Sequence, residues 1–310
     1  MLNECEKYSY SKISTYDQCK FKYKLKYFDK NFLYSANIAT DFGNLIHTTE
    51  ENIALSIQNK NKIDYISLKN NFILKSRALA HKYPKEFYAL DKTGKNYLEK
   101  TYIYLDTAIY RLENYLKNNP NLIIIGIEQK FNFNYDENHS FSGSIDRAFL
   151  DQETGNILIQ DIKSWPQPAQ PKDLKAPLQF AIYMLAAKNL WNIELDKIKC
   201  EYDLPLCDVK QTATSTNLVE ESKVLIDKLF AGIKDNKFKP TVSALCHWCE
   251  YNPLTNLQIL DTAPNAVCPY FSTWQKSGDK VNNTLVTWQG LDFVDVDRQF
   301  CLSQLRQQRS

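Results

Sequence analysis

The sequence predicts an α/β fold, a central mixed sheet flanked by helices, with a helical region before it and a cysteine-bearing clasp after it. Three observations carry this expectation. Residues 9–118 space their apolar side chains at helical period. Three segments between 122 and 165 change to short runs rich in β-branched and aromatic residues, and helical spacing returns at 174–191 before a further strand at 198–207. At 310 residues, 44% hydrophobic and 13% aromatic, the chain is long enough to bury one sizeable core.

Taken in order, Ser11 or Ser14 caps a first helix that carries Tyr16, Cys19, Tyr23 and Tyr27 at helical spacing. A second helix begins near Asp41 and runs through "FGNLIHTTEENIALSIQ", with Gly43 one turn before His47. Residues 64–118 read as further amphipathic helices, interrupted near Pro84 and Gly94 and ending before "NNPN". The segments 122–135, 140–151 and 157–165, separated by Asp, Asn, Gly and Glu turns, read as three consecutive antiparallel strands. Residues 217–237 form a helix with acids early and lysines late, in keeping with the helix dipole. The stretch from about 275 is polar and reads as peripheral.

Composition narrows the class. No apolar run approaches the roughly 20 residues that cross a bilayer, and "MLNECEKYSYSK" lacks the apolar stretch of a signal peptide, so no membrane partner and an intracellular, cytoplasmic location are expected. In a reducing compartment eight cysteines do not suggest a disulfide framework, and clustered ones become candidates for holding metal. A formal net charge of +2 favours no partner by itself. Its distribution says more: "KFKYKLKYFDK" interleaves Lys20, Lys22, Lys24, Lys26 and Lys30 with aromatic rings, which suits either a phosphate-contacting surface or an ordinary solvated helix face.

The most informative stretch is "GSIDRAFLDQETGNILIQDIKSW", residues 143–165. On a strand, residues two apart share a face, so Asp161 and Lys163 point to the same side. A turn at Gly155 can lay Asp146 of the preceding strand beside them. The result is an acidic pocket edged by an ammonium, suited to a hard divalent cation such as Mg²⁺ or Mn²⁺ and to a phosphate. An Asp–Lys pair on a surface hairpin is the plain alternative.

Asp146, Asp161 and Lys163 resemble the core of the PD-(D/E)XK nucleases, in the RecB/AddB-like subgroup that includes the CRISPR adaptation nucleases. "SYSKISTYDQCKFKY" is similar to that subgroup's N-terminal Ser/Tyr/Cys helix, with Lys20 where proline is usual. "FGNLIHTTEE" is similar to its Gly-x-x-x-His-x-x-x-Glu helix, "GSIDR" to its Gly-x-Ile-Asp-Arg strand and "LQFAIYMLA" to its Gln-x-x-x-Tyr helix. The acid before the lysine is Asp161 rather than Glu, a variation the subgroup allows.

The resemblance implies a restriction-endonuclease-like core. It also implies a metal site of His47, Asp146, Asp161 and the backbone carbonyl of Ile162, with Lys163 assisting the attacking water. Glu128 becomes a candidate for supporting those ligands, and Gln179, Tyr183, Lys20 and Lys22 for contacting the DNA. The domain expected is 1–275: mostly helical over 1–120, the catalytic sheet core over 121–210, helix and cysteine clasp over 211–275. Residues 276–310 would be a peripheral extension.

"ALCHWCEYNPL" places Cys246 and Cys249 in a C-x-x-C turn, and "VCPYF" adds Cys268. Two thiolates are too few for a closed site. The resemblance supplies Cys19 as the fourth and implies a 4Fe-4S cluster, with Zn²⁺ as the competing occupant and His247 able to replace one thiolate. Cys5, Cys200, Cys207 and Cys301 read as reduced, packed thiols.

The activity implied is metal-dependent hydrolysis of DNA from its ends, by an exonuclease of recombination, repair or phage DNA processing, encoded by a bacterium or a phage. Two other expectations are a CRISPR adaptation nuclease working with an integrase and a non-catalytic DNA-binding subunit that keeps the fold. No Walker-type glycine loop appears, so any recombination motor would be a separate protein.

Overall fold

The computed structural model describes residues 5–33, 37–175, 177–241, 243, 245–246, 249–252, 259, 267–268, 271–277 and 280–286. Two compact units are distinguished, one of Met1–Tyr10 with Ala36–Asp227, the other of Ser11–Ser35 with Lys228–Ser310. Among the described residues no helix is long and apolar enough to cross a membrane.

The first unit is the α/β body. Its sheet has six strands: β1 (Glu6–Tyr8), β2 (Leu122–Asn134), β3 (His139–Asp151), β4 (Ile157–Ile162), β5 (Ile198–Leu204) and β6 (Val209–Thr212). β2 runs antiparallel along β3, from Leu122 opposite Asp151 to Asn134 opposite Ser140. The other edge of β3 is shared: β1 pairs parallel with His139–Phe141, and β4 pairs antiparallel with Arg147–Leu150. β5 is parallel to β4 and β6 antiparallel to β5, which makes the sheet mixed. Gly155 takes the left-handed conformation (φ 72°) that the β3–β4 turn requires.

The three-strand meander expected from period two is present. The strands β1 and β6, only three and four residues long, carry too little pattern to be read from sequence.

Helices cover both faces. α1 (Tyr10–Gln18) begins at the end of this unit, and α2 (Lys20–Tyr23) belongs to the second. α3 (Ile38–Gln58), capped by the Asn37 side chain on Thr40 N–H, is followed by α4 (Tyr65–Lys82), α5 (Pro84–Tyr88), α6 (Tyr97–Asp106) and α7 (Arg111–Asn118). The buried faces of these helices, through Phe42, Ile46, Ile53, Phe72, Tyr104 and Ile109, join Phe149 and Ile162 of the sheet in one apolar core.

α8 (Leu178–Trp191) packs elsewhere on the sheet, with Phe180 centred 4.3 Å from Tyr202 and Tyr183 6.2 Å from Phe131. Strand alternation then decides what each face receives. Phe149, Arg147 and Ile162 lie toward the α3 core, whereas Asp161 lies toward α8.

The second unit contains α2, a π-helical turn at Lys24–Phe28 and the end of α9 (Leu218–Lys234). Leu25, Tyr251, Ile259 and Cys268 form its small core, and the Tyr251 hydroxyl donates to the Asn31 carbonyl at 2.6 Å. Residues read as polar periphery include a hairpin of β7 (Phe271–Ser277) and β8 (Lys280–Val286).

Candidate metal centre and nuclease site

The site grows from the β3–β4 pairing. With Arg147 opposite Gln160, the next positions along the ladder are Asp146 and Asp161. The Ile162 amide donates to Asp146 Oδ2 at 2.8 Å, so the backbone of β4 fixes the carboxylate of β3. Asp161 is 1% exposed, and its Oδ1 accepts from Gln179 Nε2 at 2.9 Å and from the Tyr183 hydroxyl at 3.0 Å. Its Oδ2 is also buried and lies 2.5 Å from Lys163 Nζ in an ion pair. Lys163 is itself held: its amide donates to the Asp203 carbonyl at 2.9 Å, and its ammonium lies 5.8 Å from the centre of the Tyr202 ring.

α3 brings the imidazole. His47 Nδ1 lies 3.6 Å from Asp146 Oδ2. The helix can come this close because of Gly43, one turn earlier, where a Cβ would stand 3.1 Å from Ser164 Oγ. Burial lowers the His47 pKa, and a hydrogen bond to the backbone of Ile162 and the charge of Asp161 oppose that effect only in part. The ring is therefore neutral near pH 7, the form that can act as a ligand.

Glu128 completes the group. It sits between the register pairs Ile127–Arg147 and Gln129–Ile145, hence opposite Asp146 on the neighbouring strand. Its backbone is left-handed (φ 43°), an outlier for a side chain with a Cβ and one that calls for a functional reason. Among the described residues, His47, Glu128 and Asp146 each offer a ligand atom within 4.8 Å of the other two. Sequence reading gave Glu128 only a supporting place. Counting residues back across the hairpin register would have put it beside Asp146.

The electrostatics of the site favour a positive charge among these acids. Burial, then the charge of Asp161, holds the Asp146 carboxyl above the usual carboxylate range, and burial does the same to Glu128 despite the hydrogen bond from Ser144. Two acids that resist ionisation beside a neutral imidazole fit an oxygen- and nitrogen-loving divalent cation.

Gln179 and Tyr183, expected to contact DNA, are 9% and 5% exposed and turn their polar atoms to Asp161. Beneath the site lies a buried polar network. Arg147, 1% exposed, donates to Gln160 (2.9 Å), Glu50 (3.2 Å) and Asp203 (2.9 Å), while Tyr104 donates to Glu50 at 2.8 Å. Nothing in the sequence short of the strand motif itself marked Glu50 or Asp203.

In the second unit, Cys19, Cys246, Cys249 and Cys268 line a single cavity of about 40 Å³. Backbone amides point at the sulfurs: Lys22 and Thr241 at Cys19 (both 3.5 Å), and Ser243 at Cys246 (3.4 Å). Burial pushes the Cys249 thiol up to about 11. Lys22 pairs with Glu250 at 2.8 Å, and Lys20 lies over the Tyr16 ring at 5.7 Å. Cys200 and Cys207 face backbone carbonyls. His247 and Cys301 lie outside the described residues.

A mixed sheet that presents two aspartates and a lysine beside a histidine–glutamate pair has the donor set of a metal-dependent phosphodiesterase. The chain belongs to the PD-(D/E)XK nuclease superfamily, whose family profile matches residues 7–254. No curated protein matches it.

Proposed function

We propose that this protein is a DNA exonuclease of the RecB/AddB-like subgroup, hydrolysing phosphodiester bonds from free ends with Mg²⁺ or Mn²⁺. The observation that carries the reading is the meeting of His47, Glu128 and Asp146 beside the Asp161–Lys163 pair. His47, Asp146 and Glu128 would hold the cation, with Asp161 and the Ile162 carbonyl as further oxygen donors. The bound cation would supply Lewis acidity and offset the charge that builds on phosphorus.

The chain's own groups do the rest. Lys163, anchored by Asp161 and set over the Tyr202 ring, presents an ammonium that can orient the nucleophilic water by a hydrogen bond or offset the charge on a non-bridging phosphate oxygen. Gln179 and Tyr183 fix the Asp161 carboxylate, so that it does not swing with the lysine. Lys20 and Lys22 are proposed to contribute to phosphate binding, with little base specificity and a steep loss of affinity in salt. Residues 1–275 form the nuclease in this proposal, acting inside the cell in recombination, repair or phage DNA processing, and 276–310 are peripheral.

The four-cysteine cavity is proposed to hold a 4Fe-4S cluster. Amide hydrogen bonds to thiolate sulfurs suit such a centre. Zn²⁺ is the competing occupant, since four thiolates suit it as well. The cluster would tie Cys19 to a segment 222 residues away in sequence.

The nuclease is tested by incubating linear and covalently closed DNA with Mg²⁺ or Mn²⁺, for the parent and Lys163→Ala. Metal-dependent loss of the linear form alone, abolished in the variant, is expected. Equal degradation by both proteins, or by neither, refutes the enzyme. Visible absorption of protein purified without oxygen, with about four irons per chain, tests the cluster; zinc alone refutes it.

A further inference from the structure

Two residues beyond Lys163 the chain carries Trp165, a large aromatic that is 37% exposed. Its place is determined by three features. First, its ring packs against Tyr202, centroids 5.2 Å apart and planes inclined at 55°. Tyr202 pairs with Asp161 in parallel register, so its ring stands on the Asp161 side of the sheet and carries Trp165 to that side. Second, the segment that follows is stiff. Pro166, Pro168 and Pro171 restrict it, and Ala169 exchanges two hydrogen bonds with the Gln211 side chain, at 2.7 and 3.2 Å. Third, one Tyr202 ring supports both Trp165 and the Lys163 ammonium, the latter at 5.8 Å. Indole and ammonium are therefore separated by no more than the total of these two distances, a reach of at most about three nucleotides at the ~3.4 Å axial rise of stacked bases and fewer in an extended strand.

An apolar ring held rigid, part open to solvent and beside the cation that meets the phosphate has a chemical complement in an unpaired nucleobase. Stacking needs a free π-face, which a base inside a duplex does not offer, and it tolerates any base identity. We propose that Trp165 is a base-stacking residue for the nucleotide flanking the scissile phosphate, and that the substrate at the site is single-stranded or frayed DNA. This rests on reading the site as a DNA nuclease, and it adds the strand form that the site accepts.

The test measures binding in EDTA, so that cleavage plays no part. A labelled single-stranded oligonucleotide and its blunt duplex are titrated with the parent, Trp165→Ala, Trp165→Leu and Trp165→Phe. The leucine variant keeps apolar packing on Tyr202 while removing the π-face. Single-strand affinity is expected to fall roughly 5- to 100-fold in the alanine and leucine variants, to be largely kept in the phenylalanine variant, and duplex affinity to change much less.

A single abasic residue scanned along the oligonucleotide should weaken the parent at one position and add nothing to Trp165→Leu at that position. Equal single-strand affinity in the parent and Trp165→Leu, or an equal loss on single strand and duplex with a flat abasic scan, would overturn the proposal. Should the parent show the Trp165-dependent abasic effect yet cleave nothing with Mg²⁺ or Mn²⁺, the stacking stands and the nuclease reading falls. Metal-dependent cleavage with no Trp165 dependence does the reverse.

Discussion

Replacing Arg147 by methionine removes the charge at the centre of the buried network while keeping much of the volume. Arg147 neutralises two acids, Glu50 and Asp203, that are 3% and 4% exposed. They do not suffer equally. Asp203 keeps Arg111 at 2.8 Å and Lys210 at 3.8 Å, whereas Glu50 keeps only the neutral hydroxyl of Tyr104 among the partners described. Breaking a buried pair in this way costs about 3–5 kcal/mol, and most of it should fall on Glu50.

Two consequences follow for urea denaturation. The double variant Arg147→Met with Glu50→Gln should recover about 2 kcal/mol of the loss, because it removes the stranded charge. The single variant should also depend on pH. Burial already raises the Glu50 pKa even with Arg147 present, and losing the guanidinium raises it further. For a carboxyl whose folded pKa exceeds its unfolded value, the native state binds the extra proton. The deficit is therefore full above the folded pKa and shrinks as pH falls toward the unfolded value. A loss below about 1 kcal/mol, or a double variant no more stable than the single at pH 8, would refute the assignment of the cost to Glu50.

Other outcomes are expected from the site itself. Gly43→Leu should push α3 off Ser164 and weaken Mn²⁺ binding by about tenfold or more in calorimetry, while Gly43→Ala, whose Cβ needs only a few tenths of an ångström from a side-chain oxygen, should do much less. Mn²⁺ binding should tighten as pH rises and release protons up to about pH 8, because burial raises the Asp146 carboxyl to about 8 and holds Glu128 above its usual range; calorimetry in two buffers of different ionisation enthalpy checks this. Gln179→Leu removes one of two hydrogen bonds on Asp161 Oδ1, worth about 1.5–3 kcal/mol to a charged acceptor, and kcat should fall at least about tenfold with KM for DNA little changed. Cys246→Ser should remove visible absorption and lower Tm without altering Mn²⁺ affinity.

What could be read in advance follows how locally each feature is encoded. The pair Asp161 and Lys163 is legible because period two ties spacing to facing within six residues, and Gly155 marks the turn that folds Asp146 against them. His47 is legible through its helix, where Gly43 one turn away signals a close approach. Glu128 required a register as well as a strand, and that register is set by the hairpin turn between Asn134 and His139, not by anything in the run "LIIIGIE". Gln179 and Tyr183 show the opposite difficulty. Their spacing places both on one side of α8 but cannot say whether that side meets solvent or sheet, and the sheet won because Asp161 needs two donors in a site that excludes water.

Arg147 makes the general point. Strand alternation turns it away from its neighbour Asp146, into the core where it meets Glu50 of α3 and Asp203 of β5. The arginine thereby joins the helix that carries His47 to the strand whose Asp203 carbonyl anchors Lys163. A local rule places each group of the candidate site, but the elements that carry them are joined through a residue that lies outside it.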